Sequence, residues 1–100
     1  MPFEQLIPRA LRPVAVGLYA PIASGVYGIS NASEWIYIGE TDDIQAALFA
    51  HLRESETPQM KRQPTGFVFE ICERATRLSR QNSLVTEYEP CCNERSSRHT

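Results

Sequence analysis

Two short runs in the first half of the chain, Gly25 to Ser30 (Gly-Val-Tyr-Gly-Ile-Ser) and Trp35 to Gly39 (Trp-Ile-Tyr-Ile-Gly), are rich in β-branched and aromatic residues, with the polar Asn31 to Glu34 between them. That pattern predicts a β-hairpin. Glu40 to Asp43 follows as a helix start, with Asp42 placed to accept an orphan N–H and Gln45 to reach back in a capping box. Ile44, Leu48 and Leu52 recur every four residues, with Ala47 and His51 beside them, so one stripe of this helix faces a core until Glu54 to Pro58 stops it. The segment from there to Pro64 is polar and reads as a loop. Gly66 to Cys72 is a third strand, too continuously apolar for a one-sided sheet edge, which predicts a central or well-covered position. A second helix runs from about Arg74 with Leu78, Leu84, Val85 and Tyr88 at helical spacing, and Pro90 drives Glu89 out of the α region and ends it.

The order strand, strand, helix, strand, helix defines an α+β fold, a small three-stranded sheet with helices packed on it (β-β-α-β-α). Residues 1–24 carry Pro2, Pro8, Pro13 and Pro21, a spacing that excludes a long helix and suits an extended arm with one short helical turn, packed on the domain at 25–93. Residues 94–100 have no apolar anchor and are expected to fray. At 100 residues the chain is long enough for one core and too short for two.

Composition excludes several classes. Apolar residues are 42% and charged residues 22% of the chain, an ordinary globular mix, and no apolar run is long enough to cross a bilayer. Pro13 to Ser24 has the look of a signal-peptide core, but two prolines interrupt it and cleavage there would leave Gly25 at the new terminus, so a cytoplasmic protein is the default expectation. Ten basic residues against twelve acidic ones give a formal charge of −2, so any contact with nucleic acid has to come from a local patch. Cys72, Cys91 and Cys92 have no Cys-x-x-Cys spacing, and an adjacent pair rarely bonds to itself, so neither a disulfide framework nor a zinc site is indicated. His51 is the one well-placed histidine that could join Cys72 on a metal. There is no Gly-rich phosphate loop, no dinucleotide fingerprint and no supported Ser-His-Asp or Cys-His arrangement.

Gly25-Val26-Tyr27 on the first strand, Tyr37-Ile38-Gly39 on the second, His51 on the first helix, then Leu84-Val85, Tyr88, Pro90 and Asn93 stand in a register that resembles the GIY-YIG nuclease domain over about residues 25 to 93. The resemblance implies metal-assisted phosphodiester cleavage, in which a tyrosine and bound water handle protons, an arginine offsets developing charge and a glutamate holds a divalent ion. Tyr27, Tyr37 and His51 are carried over as remnant catalytic positions, with Gly39 and Asn93 in support. The family arginine, ten residues after the tyrosine of Tyr-Ile-Gly, is Ala47, and the glutamate, three before the aliphatic pair, is Gln81. Ala47 supplies no cation, and loss of one preorganised charge stabiliser costs about 10²- to 10³-fold in rate. Gln81 keeps the shape without the charge that a hard ion such as Mg²⁺ prefers. The resemblance therefore implies a degenerate member without a resident cofactor, with Mg²⁺ or Mn²⁺ needed only if activity survives.

Each of these residues also has a plainer role. Strand tyrosines often pack their rings and let the hydroxyl find water. His51 suits a hydrogen-bonded core edge as well as a residual site. Gln81 beside the buried stripe has to satisfy its amide, with a tyrosine hydroxyl as the expected partner. Arg74, Arg77 and Arg80 form a row that could grip a phosphate backbone or simply face solvent, and Arg77, Arg80 and Glu40 are the nearest candidates for relocated catalytic charge. Asn93 suits a helix-end contact, and Trp35 is expected half-buried. Three functions stay open: an inactive binding or interaction module, a weak metal-dependent DNA endonuclease with relocated charges, and a structural protein that forms homo-oligomers through free strand edges.

Overall fold

A computed structural model describes residues 2–3 and 7–93, and the expected fraying of 94–100 lies outside the described residues. The elements in chain order are β1 (Arg9–Ala10), α1 (Pro13–Tyr19), β2 (Gly25–Ser30), β3 (Trp35–Thr41), α2 (Ile44–Arg53), α3 (Pro58–Lys61), β4 (Gly66–Ile71) and α4 (Arg74–Tyr88). The four strands form one sheet in the order β1-β4-β2-β3, and every pairing is antiparallel. The α+β architecture is the one expected, with one more strand than the pattern suggested. Arg9 and Ala10 pair with Phe67 and Gly66, which makes β4 an interior strand and explains its continuous apolar run.

Side chains alternate across the sheet and sort the core into two layers, and the register shift at Ile29 and Ser30 puts Ile36 in the layer opposite Ile38. Tyr27, Ile29, Ile36 and Phe67 face α1 and α2, where they meet Val16, Ile44 and Leu48, while Val26, Ile38 and Val68 face α4 and meet Leu84 and Phe3. β2, paired on both edges and covered on both faces, is buried at every residue. On the α4 side Gly28 leaves room for Phe3 and Trp35, whose rings stack at 5.9 Å and meet Tyr88 at 5.8 Å and 4.6 Å. Trp35 is half-buried there, as expected.

Five local expectations are corrected. The leader is not simply extended: Pro13 opens a helix of 7 residues, because proline at a first helical position loses no hydrogen bond and brings a helical φ. The cap of α2 is Asp43 rather than Asp42, its carboxylate accepting the N–H of Ala46 at 3.0 Å. Gln45 does not complete a capping box and instead donates to the carbonyls of Ala20 and Gly17, fastening α1 to α2. Pro58 does not only end a helix but begins α3, capped by the Thr57 side chain. Leu78 is 60% exposed, because the inner face of α4 runs through Arg77, Gln81, Leu84 and Tyr88 and turns Leu78 outward. Glu89 adopts a left-handed conformation (φ 52°) before Pro90 and closes α4 with an N–H bond to the Val85 carbonyl, as the proline predicted.

The chain beyond α4 returns along the outer edge of β3. The N–H groups of Cys91 and Cys92 donate to the carbonyls of Trp35 and Ile36 at 3.2 Å and 2.9 Å. No helix among the described residues is long and apolar enough to cross a membrane.

Candidate active site

Tyr27 on β2 and Tyr37 on β3 project from one face of the sheet toward His51 on α2. The register sets Tyr27 directly opposite Gly39. A methyl group on Gly39 would lie 2.7 Å from the Tyr27 hydroxyl and 2.9 Å from the Tyr37 ring, so glycine is what lets both rings lie across this strand. The Tyr27 hydroxyl and His51 Nε2 are hydrogen-bonded at 2.8 Å, and the three rings form a triangle with centroid separations of 6.2, 5.6 and 5.5 Å.

Burial sets the protonation of this cluster. It pushes the Tyr27 phenol well above its ordinary range, with smaller contributions from Tyr37 and from the charge of Glu40, and it raises Tyr37 in the same way, helped by Glu40. Desolvation lowers His51, opposed by Glu54. At neutral pH both phenols keep their protons and the imidazole is neutral, so the Tyr27–His51 bond joins two uncharged groups.

The two positions at which the resemblance broke down both have structural roles. Ala47 packs against the core beside Leu48 and Leu52. Gln81 donates from Nε2 to the Ile38 carbonyl at 3.0 Å rather than to a tyrosine hydroxyl, because its place on the inner face of α4 aims it at β3. Asn93 meets the same peptide: its Oδ1 accepts the Ile38 N–H at 2.8 Å and its Nδ2 donates to the Ile38 carbonyl at 2.8 Å. The middle of Tyr37-Ile38-Gly39 is therefore held along its outer edge by two side-chain amides, and the support expected of Asn93 takes this form.

Arg77 lies one turn before Gln81 and is tied into acidic partners. Its Nε donates to Glu40 at 2.8 Å, and its Nη1 donates to Asp42 and to Ser24 Oγ, the latter at 3.1 Å. The hydrogen bond and charge of Arg77 hold the Asp42 carboxyl below its usual range. Arg80 makes a bidentate pair with Glu70 at 2.7 and 2.8 Å and also donates to the Pro2 carbonyl. The arginine row is thus largely committed to internal acids. The pairing of Arg77 with Glu40 and Asp42 went unread in the sequence, although the spacing of four between Arg77 and Gln81 places both on one helix face. Cys72 packs in the α4 layer and His51 in the opposite one, so the two do not meet. Among the described residues no group of three or more His, Cys, Asp and Glu side chains gathers at one point.

Strand register, the paired tyrosines, the histidine one helix away and the asparagine beyond α4 together define a GIY-YIG-like fold. Solved structures that match it include forms of the GIY-YIG N-terminal endonuclease domain of UvrC from Thermotoga maritima. The form bound to its catalytic divalent cation, magnesium, superposes with a TM-score of 0.67 at 21% identity, over 81% of this chain and 93% of that one. A tyrosine-to-phenylalanine point mutant bound to its catalytic divalent cation gives a TM-score of 0.65 at 23% identity, over 78% and 90%. An asparagine-to-alanine point mutant gives 0.64 at 21%, over 77% and 88%. No family model and no curated protein matches the chain.

Proposed function

We propose that this chain is a GIY-YIG-like domain without turnover, which acts as a binding or interaction module. The observation that carries the reading is Gln81: where the resemblance places a metal-holding carboxylate, a neutral amide donates to the Ile38 carbonyl. The donor set does not suit a resident hard dication, since the carboxylates of Glu40 and Asp42 are already ion-paired with Arg77. The missing cation points the same way, because Ala47 is part of the core packing. What remains is a cleft of aromatic and neutral hydrogen-bonding groups that can hold a partner, with Arg77 engaged by Glu40 and Asp42 rather than placed to offset a developing phosphorane-like anion.

One observation favours a second reading, a weak endonuclease with relocated charge. Arg77 and Glu40 sit on the site's own strand and helix face, and the field of Glu40 reaches both tyrosines. A divalent-ion titration of the melting temperature separates the two. A specific site filled to about 100 times its dissociation constant would stabilise the fold by about 2.7 kcal/mol. The inactive reading expects no shift with Mn²⁺ in the natural chain and a shift in Gln81→Glu; a shift in the natural chain that disappears in Glu40→Gln would replace it with the relocated site.

A further inference from the structure

Cys91 and Cys92 lie side by side along the edge of β3, with their Sγ atoms 3.7 Å apart and both thiols free. The two differ in surroundings. Cys91 is exposed and its sulfur accepts the Nε–H of Arg62 at 3.3 Å, whereas Cys92 packs against the core layer that holds Tyr27, and burial pushes its thiol up. A solvent-facing sulfur beside a guanidinium is placed to attack, and a shielded one beside it is placed to resolve. The backbone here is not idle. Cys91 and Cys92 donate to Trp35 and Ile36, and the next residue, Asn93, holds both polar groups of the Ile38 peptide. Three consecutive residues therefore connect the thiols to the Tyr37-Ile38-Gly39 strand.

We propose that Cys91 and Cys92 form a redox-active vicinal dithiol, which closes to a disulfide by exchange with a low-molecular-weight disulfide and thereby detaches Asn93 from Ile38. In the first step the Cys91 thiolate attacks one sulfur of the small disulfide. A mixed disulfide forms, the small disulfide's own S–S bond breaks, and the first small thiolate leaves and takes up a proton. Cys92 then gives its proton to solvent and attacks Cys91 Sγ, expelling the second small thiolate, which is protonated in turn. The sum is two protein thiols and one small disulfide converted to one protein disulfide and two small thiols.

Geometry couples this closure to the strand. Neighbouring Cα atoms are about 3.80 Å apart across a trans peptide, shorter than the roughly 4.4–6.8 Å that disulfides usually span. The sulfurs must also approach from 3.7 Å to a bond of about 2.05 Å. Closure requires the intervening peptide to turn, and that peptide carries the Cys92 N–H bonded to Ile36. The strain that results keeps such a bond easily reduced, as a reversible switch requires. This inference does not depend on whether the cleft turns over.

The test incubates the full chain with glutathione disulfide, maps the thiols by mass spectrometry and follows the Ile38 amide by hydrogen exchange. In the natural chain the peptide bearing both cysteines loses the mass of two hydrogens and recovers it with dithiothreitol. Cys92→Ser stops at a glutathione adduct on Cys91, and Cys91→Ser reacts about tenfold more slowly or less. On oxidation Ile38 exchanges faster while the amides of β2 do not, which distinguishes release of Asn93 from unfolding. A stable mixed disulfide in the natural chain, or ring closure with Ile38 exchange unchanged, overturns the proposal.

Discussion

At His51 the stripe that buries Ile44 and Leu48 meets the hydroxyl of Tyr27, and the fold holds the imidazole neutral. Its folded-state value lies below the ordinary 6.5, so the unfolded chain binds the proton more readily. The stability this residue supplies is complete above about pH 6.5 and is lost as pH falls through the lower folded value. Melting temperature followed from about pH 7.5 to 5 should therefore fall more steeply for the natural chain than for His51→Gln, and parallel curves would refute the assignment. Tyr27→Phe removes a partner from a half-buried ring nitrogen and should cost about 1 kcal/mol in denaturant unfolding. The tyrosines, His51 and Asn93 could be singled out in the sequence because they stand at the positions that carry the GIY-YIG resemblance. The partner of Gln81 was not, since the choice between a tyrosine hydroxyl and the Ile38 carbonyl depends on the rotation of α4 relative to β3.

On the scale of elements, hydrophobic periodicity located α2, α4 and the three long strands but could not rank positions on the same helix. Leu78 fits the spacing yet faces out, while Leu84, three turns from the helix start, is completely buried. Leu84→Ala should accordingly cost about 2–5 kcal/mol, and Leu78→Ala less than about 0.5 kcal/mol, a contrast that urea titration of the two variants reads directly. The cap of α2 makes a similar distinction between adjacent residues. Asp43→Ala should lose about 1 kcal/mol through the freed Ala46 N–H, and an equal loss in Asp42→Ala would mean that the ion pair with Arg77 matters as much as the cap. The two-residue β1 and the short α3 carried too little pattern to be read. Both depend on contacts distant in sequence or on a single proline, as with Arg9 against Phe67.

For the whole molecule, the sheet with α1 and α2 on one face and α4 on the other carries the GIY-YIG-like arrangement. Arg77 is ion-paired with both Glu40 and Asp42, and Ala47 and Gln81 serve packing and strand support. The resemblance pointed to Ala47 and Gln81 as the positions that depart from the family pattern, but the sequence could not show the ion network of Arg77, because that network joins β3, the start of α2 and α4. The most direct measurement is cleavage of a labelled mixture of branched and single-stranded DNA with Mn²⁺, comparing the natural chain with an Ala47→Arg, Gln81→Glu double variant. The natural chain should give no product and the variant a gain of at least about 10²-fold over background; cleavage by the natural chain that vanishes in Tyr27→Phe would show instead that turnover survives.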